Sequence, residues 1–381
     1  MRANRQTRRA LTLAATAALL TLTACAPAAT ASSGGTHAAP GGTGHASNGG
    51  PVVDNSATPG WRVVKRFGPD RRPMSGLITA VSADDAWTAW TGSISVVEHW
   101  TGGAWHPVTM PPKVAANVWW PVAIGAGPDG EVWLFSGTNP TLAIRHTGGK
   151  WVLQRIPRWV LRPATGTIST TTAVFGPHNV WVFSLGAGAY AAHYDGRSWA
   201  KMAMPEVADG VSAAAAGDIW ALGPGVTFVM HWNGVRWIKV GLPVLPLPSN
   251  ATVSYSNITA VGPRDAWVMR TISYKSSPPS TAMLHWNSGA WLTTASPADV
   301  VGSLVPDGHG GLWADGIDIN PGGFWYLYHL ARGHWTQFTP PGVFIHSPEE
   351  LTWIPGTRSV WATGSNFSAK GYYGVILKYG P

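Results

Sequence analysis

The stretch DAWTAWTGSISVVEHWTGGAW, residues 85–105, decides the fold, because the chain repeats it. Its two halves return as EVWLFS…AIRHTGGKW, NVWVFS…AAHYDGRSW, DIWALG…VMHWNGVRW, DAWVMR…MLHWNSGAW and GLWADG…LYHLARGHW, and a shorter SVWATG…ILKYG comes last. The leading tryptophans are Trp87, Trp133, Trp181, Trp220, Trp267, Trp313 and Trp361, spaced by 46, 48, 39, 47, 46 and 48 residues. That period fits a propeller blade of four antiparallel strands.

Each repeat reads as strands A to D. Strand A is a short apolar run such as 77–81 or 258–261. A turn rich in Asp, Asn, Gly and Pro follows, and those residues suit tight reversals. Strand B carries the leading Trp, strand C ends in His, and strand D starts at a second Trp. Apolar and β-branched residues between such turn signals favour strands over helices. The seventh repeat lacks strand D. The run GWRVVK, residues 60–65, reads as a strand D without a strand C, and Trp61 lies 44 residues before Trp105. The expectation is an all-β, seven-bladed propeller over residues 60–381, whose last blade is completed by the N-terminal strand. Closure of that kind leaves no open inner edge.

The segment before the repeats reads differently. Arg2, Arg5, Arg8 and Arg9 precede an apolar run over 10–22, and then comes Leu22-Thr23-Ala24-Cys25. This is similar to a bacterial lipoprotein signal peptide with its lipobox, and it is set aside from the fold. The similarity implies a leader over 1–24 and a lipidated Cys25, the only cysteine of the chain. It also implies an anchor on the extracellular face of the bacterial cytoplasmic membrane. Residues 25–59 are mostly Ala, Gly, Ser, Thr and Pro, with no Lys or Arg. Such a composition cannot offset its ordering entropy, so a flexible tether is expected, with a reach of roughly 30 Å.

Charge excludes one class. The formal net charge is +8 from 26 basic and 18 acidic residues. Four of the basic residues lie in the leader, which leaves 22 against 18, or +4. Nucleic-acid binding normally shows a concentrated basic stripe, and no such partner is expected. A monomer is expected.

From residue 60 onward the chain resembles the secreted, Trp-rich propellers of actinobacteria, with repeats of the form D-x-W-x-x-G and H-W-x-G-x-x-W. It is also similar to kelch and galactose-oxidase-like propellers, without the kelch Gly-Gly pair. PDGHGGLW, residues 306–313, is similar to the sialidase Asp-box, a turn motif. The resemblance implies a fold and no activity.

The chemistry-bearing residues follow the repeat. His99, His146, His193, His231, His285 and His329 recur with Lys378 in the seventh slot. One per blade around a ring is too dispersed to hold an ion, whose ligands must converge within about 2 Å of it. Each is expected to be a structural histidine near its C–D turn, and Asp85, Asp218 and Asp265 to cap their turns. No nucleophile elbow, P-loop, zinc-protease or dinucleotide motif is present. No catalytic residue, metal or cofactor is therefore assigned.

Loop length points to a binding face. The A–B and C–D turns are short in every repeat, whereas the B–C loops and D–A connections vary widely, and all of the latter share one face. Function collects on loops held by a rigid scaffold. Trp119, Trp120, Trp159 and Trp325 fall outside the repeated positions and lie in or beside these segments, as do Tyr274 and Tyr326. Arg71, Arg158, Arg162 and Glu349 could orient a polar ligand. These ten residues are the candidate binding set for a cell-envelope glycan, peptide or protein. A glycan-active enzyme using the same face is the alternative, and it would need convergent carboxylates at the channel mouth.

Overall fold

The computed structural model describes residues 53–54, 60–67, 75–91, 95–162, 169–225, 227–297, 299–317, 325–340, 345–368 and 371–380. These residues form seven sheets, each with four antiparallel strands in the spatial order A-B-C-D, and one of the seven gains a short fifth strand at its edge. The chain is a seven-bladed β-propeller. Blade 1 contains Ser75–Ser82, Asp85–Thr91, Val96–Trp100 and Trp105–Pro107. In blade 7, Ile345–Trp353, Val360–Ser368 and Gly371–Tyr379 supply strands A to C, and Trp61–Arg66 supplies strand D.

Ring closure is as expected. Trp61 pairs with Tyr379 and Arg62 with Lys378. Lys65 forms an ion pair with the buried Glu98 of blade 1, so the closing strand also bridges to the next blade. Within the stretch read as a tether, Val53–Asp54 adds in parallel to the outer strand of blade 6, with Val53 opposite Trp335.

The tryptophan pairs follow one rule. The strand-D Trp of each blade covers the strand-B Trp of the blade before it. Trp151 meets Trp87 at 5.8 Å, Trp199 meets Trp133 at 5.8 Å, and Trp105 meets Trp361 at 5.2 Å between ring centroids. Trp61 meets Trp313 edge-on at 5.3 Å, so the last interface has the same packing as the others. Trp237, Trp291 and Trp335 join the apolar clusters built on Trp181, Trp220 and Trp267. Seven such clusters fill the seven blade interfaces. Each large aromatic buries about 150–250 Å², and edge-on pairs add roughly 0.5–1.5 kcal/mol.

The repeated histidines are structural, as expected, with one correction. His99, His231, His285 and His329 bond Asp85, Asp218, Asp265 and Asp307 through Nε2 at 2.7–3.0 Å. Each stacks on the strand-B Trp of its own blade, with centroids 3.7–4.3 Å apart. His193 makes the same bond to Asn179 at 3.0 Å. Burial holds its imidazole below the ordinary value, against the opposing pull of Asp195. Burial pushes Asp307 up, but bonds from His329, His309 and Gly311 outweigh it and leave the carboxyl below its usual range.

In blade 2 the slot belongs to Arg145, not to His146. Arg145 is the residue opposite Trp133, whereas His146 stands opposite Val132. The Arg145 guanidinium lies 4.9 Å from the Trp133 ring, and its Nε donates to Glu131. His146 instead bonds the Gly130 carbonyl. In blade 7, Lys378 lies 5.3 Å over the Trp361 ring. The seven slots thus hold five histidines, an arginine and a lysine, each against an indole.

Candidate functional site

The strand pattern orients the molecule. Strand A of every blade lines the central channel and runs from the face of the D–A and B–C connections toward the face of the short turns. Cavities lie at both ends of the channel. The one at the short-turn end is about 780 Å³ and includes Val81, Phe175, Ala214 and Trp353 in its wall. The one at the loop end is about 510 Å³ and is lined by Asp209, Tyr255, Asn257, Ser303 and Glu350 among others.

The loop-end cavity is polar because the inner strands are irregular there. Strands A of blades 5, 6 and 7 each shift register at this level, between Ser256 and Thr259, Val300 and Leu304, and Pro348 and Glu350. Such bulges re-aim side chains, often beside functional sites. Asn257 has φ of 52° and donates to the Gly302 carbonyl at 2.6 Å. Burial pushes the Asp209 carboxyl up. Burial also raises the Tyr255 phenol, against Arg270. The Glu350 carboxylate accepts the Ile78 N–H at 2.8 Å and so ties blade 7 to blade 1.

The candidate residues separate into groups. Trp119 and Trp120 follow a short helix, Pro112–Ala115, and are 55% and 57% exposed. No other described tryptophan is this exposed. They are held firmly all the same. The Trp119 carbonyl accepts the hydroxyls of Ser136 and Thr138, and the Trp120 carbonyl accepts the Gly137 N–H at 2.9 Å. Trp120 has φ of 53°, a conformation that costs a bulky residue on the order of 1–3 kcal/mol. The surrounding bonds therefore fix the pair in place despite the strain at Trp120.

Trp159 lies one blade further round and is half-buried. The Tyr190 hydroxyl donates to its carbonyl at 2.9 Å, and Lys201 lies 5.3 Å over its ring. Arg158 and Arg162 beside it are exposed. The Arg162 N–H bonds Ser184 Oγ at 3.0 Å, and that hydroxyl donates to the Val160 carbonyl at 2.8 Å. Ser136 and Ser184 end strand B in blades 2 and 3, so the same clamp holds two successive D–A connections.

Trp325 and Tyr326 begin strand C of blade 6, and Tyr274 ends strand B of blade 5; all three are half-buried. Tyr326 leans on the blade 5–6 cluster, with Tyr328 at 6.4 Å. Arg71 lies outside the described residues, as does the side chain of Glu349. Two tryptophans outside the repeat pattern are accounted for elsewhere. Trp90 is fully buried against Phe67 at 4.8 Å, and Trp353 donates to the Thr357 carbonyl at 2.8 Å. Cations missed by the sequence reading share the loop face, namely Lys113 and Arg155, both exposed. Among the described residues, no three His, Cys, Asp or Glu side chains converge as a metal site would require.

The fold defines the class as a seven-bladed propeller, and comparison with solved structures agrees. The chain is similar to YCF48 bound to D1 peptide, with 14% identity and a TM-score of 0.57, over 87% of this chain and 100% of that one. YCF48 from Cyanidioschyzon merolae matches with the same identity and score, over 85% and 99%. A chain of the mitotic checkpoint complex matches at 10% identity and a TM-score of 0.50, over 92% and 99%. At these identities the likeness is one of fold alone. No protein-family description matches the chain, and no curated protein is similar to it.

Proposed function

We propose that this chain is a lipid-anchored binding module of the bacterial cell surface, without catalysis, that takes its ligand on the face of the D–A and B–C connections. The observation that carries the reading is the Trp119–Trp120 pair, more than half exposed and held in a strained backbone by three hydrogen-bond donors. Exposed indoles at such cost are hard to explain by packing. Large amphipathic aromatics, by contrast, dominate binding energetics.

The anchor fits this use of the face. The lipobox at Cys25 supports attachment through a diacylglyceryl thioether. Trp61 sits at the short-turn end of strand D, opposite Tyr379, so the chain enters the ring on the face away from Trp119 and Trp120. A tether leaving that side keeps the loop face clear of the lipid. The alternative reading, a glycan-active enzyme at the channel mouth, would require a free carboxylate pair. Glu350, which with Asp209 lines the mouth among the described residues, is engaged with the Ile78 N–H.

A glycan array and a pull-down from envelope extract, with wild type and a Trp119→Ala/Trp120→Ala variant, test the proposal. The variant is expected to lose binding while melting within a few degrees of wild type. Trp133→Ala, which empties a fully buried site, is expected to lose about 3–5 kcal/mol of stability. A double variant that unfolds as readily as Trp133→Ala, or that binds undiminished, would remove the loop face as the site.

A further inference from the structure

The sector of the loop face around Trp119 and Trp120 has a one-sided charge. Between Glu98 and Asp195 the sequence holds only two acids, Asp129 and Glu131. Both lie in the A–B turn of blade 2, on the opposite face, and Glu131 is paired with Arg145. Four cations of that stretch are therefore left on the loop side. They are Lys113, Arg155, Arg158 and Arg162, all exposed. None of them belongs to an ion pair among the described residues.

The backbone brings these cations beside the indoles. Ser136 and Ser184 clamp equivalent points of neighbouring D–A connections, Trp119 in one and Val160 to Arg162 in the next. Adjacent blades stack like packed sheets, about 10 Å apart. The short helix carrying Lys113 packs against strand D of blade 2, Lys150–Arg155, which ends at Arg155. The result is a shelf with two open indoles in one connection and two exposed arginines in the next.

This shelf selects among ligands. Its indoles are open faces, and neither of them lines the small apolar cavity beside them, which Val96, Val108, Met110 and Val118 wall. Peptides usually seat side chains in a pocket or add a strand to a sheet edge. A pyranose ring needs neither, since its C–H face packs flat on an indole. The unpaired arginines then call for an anion, which they bind in bidentate fashion when it is a carboxylate. A ring and a carboxylate on the same unit define an acidic sugar, of which a uronic acid is the simplest repeating case.

We propose that the Trp119, Trp120, Arg158 and Arg162 shelf binds a carboxylated glycan, a uronate-bearing polysaccharide chain. This rests on the loop face being the binding face and adds the chemistry of what it holds. Ring faces stack on Trp119 and Trp120, and carboxylates pair with Arg158 and Arg162, with Lys113 and Arg155 adding long-range attraction.

The test uses the full chain and three probes, an oligogalacturonate, its methyl ester and polyglutamate, by calorimetry at low and high salt. Oligogalacturonate is expected to bind, with affinity falling at least about tenfold as salt rises from 50 to 500 mM. The methyl ester is expected to bind at least about tenfold more weakly. Trp119→Ala/Trp120→Ala and Arg158→Gln/Arg162→Gln are each expected to weaken oligogalacturonate about tenfold or more, and the Gln pair should flatten the salt dependence. Polyglutamate binding as tightly as oligogalacturonate, and indifferent to the tryptophans, would overturn the glycan in favour of an acidic peptide. Absence of oligogalacturonate binding at millimolar concentration would overturn the inference. A neutral ligand recovered from the array that needs Trp119 and Trp120 would overturn it too, yet leave the binding face standing.

Discussion

Asp315 should make the stability of the ring depend on pH in a direction opposite to the usual carboxylate. It stands two residues after Trp313, where the other blades carry Ala89, Phe135, Phe183, Leu222, Met269 and Thr363. It is 4% exposed and pairs across the sheet with Leu327. Gly302 makes room for it, since a Cβ there would lie 1.9 Å from Asp315 Oδ2. Burial pushes the Asp315 pKa up to about 7 from an ordinary 3.8, against opposing hydrogen bonds that include the Ser303 N–H and hydroxyl. Between these two values the folded chain keeps a proton that the unfolded chain has released. The group therefore favours the fold fully below about pH 4, and that advantage is lost as pH rises through 7. A gap of about three pKa units corresponds to roughly 4 kcal/mol. Asp315→Asn cannot ionise and should escape the loss. Urea unfolding of both proteins at pH 5 and pH 8 measures the effect, because other titrating groups cancel in the difference. Two of those units lie above pH 5, so the variant is expected to gain about 2–3 kcal/mol on wild type between the two conditions. Parallel pH profiles would show that Asp315 is solvated or paired when charged, and would refute the reasoning.

Two further outcomes check the architecture and the anchor. Deleting residues 60–66 removes Trp61 from its place on Trp313 and exposes the edge of Gly371–Tyr379, so aggregation or a large fall in Tm is expected by scanning calorimetry. A truncated chain that melts like the parent would show that the closing strand is dispensable. Cys25→Ser is expected to abolish labelling by a fatty-acid probe in the native host and to leave the leader uncleaved, whereas equal labelling of both forms would remove the lipid anchor.

The repeat made the fold legible because each blade interface demands a large aromatic from both sides, and Trp fills nearly every such slot. The closing strand was legible for the same reason, since Trp61 is a strand-D Trp without its blade. The one misread slot had a signal. Arg145, like the true slot histidines, lies six residues before its strand-D Trp, whereas His146 lies only five before Trp151. In that repeat spacing carries the register and residue type does not. The candidate set was legible only in part. Trp119 and Trp159 look alike as extra tryptophans, and nothing local tells that Tyr190 and Lys201 cover the second while the first stays open. Asp315 was visible as an acid in an apolar column, but its significance depends on burial.

The division of labour between the two faces follows from how the ring is held. The indole–histidine–acid stacks sit near the short turns, where strand B begins and strand C ends, and they repeat in blade after blade. A turn bound into such a stack has little freedom to lengthen. Among the described residues the far ends of the same strands carry no repeated stack, so the strands and their connections can lengthen there, as strands Ala251–Gly262 and Asp265–Tyr274 do in blade 5. They still need anchoring, and single side chains such as Ser136 and Ser184 supply it by binding loop carbonyls. A serine clamp fixes the backbone of a loop without dictating its side chains. Trp119 and Trp120 can therefore stand exposed in one clamped loop and Arg162 in the next, on a scaffold whose stability is secured elsewhere.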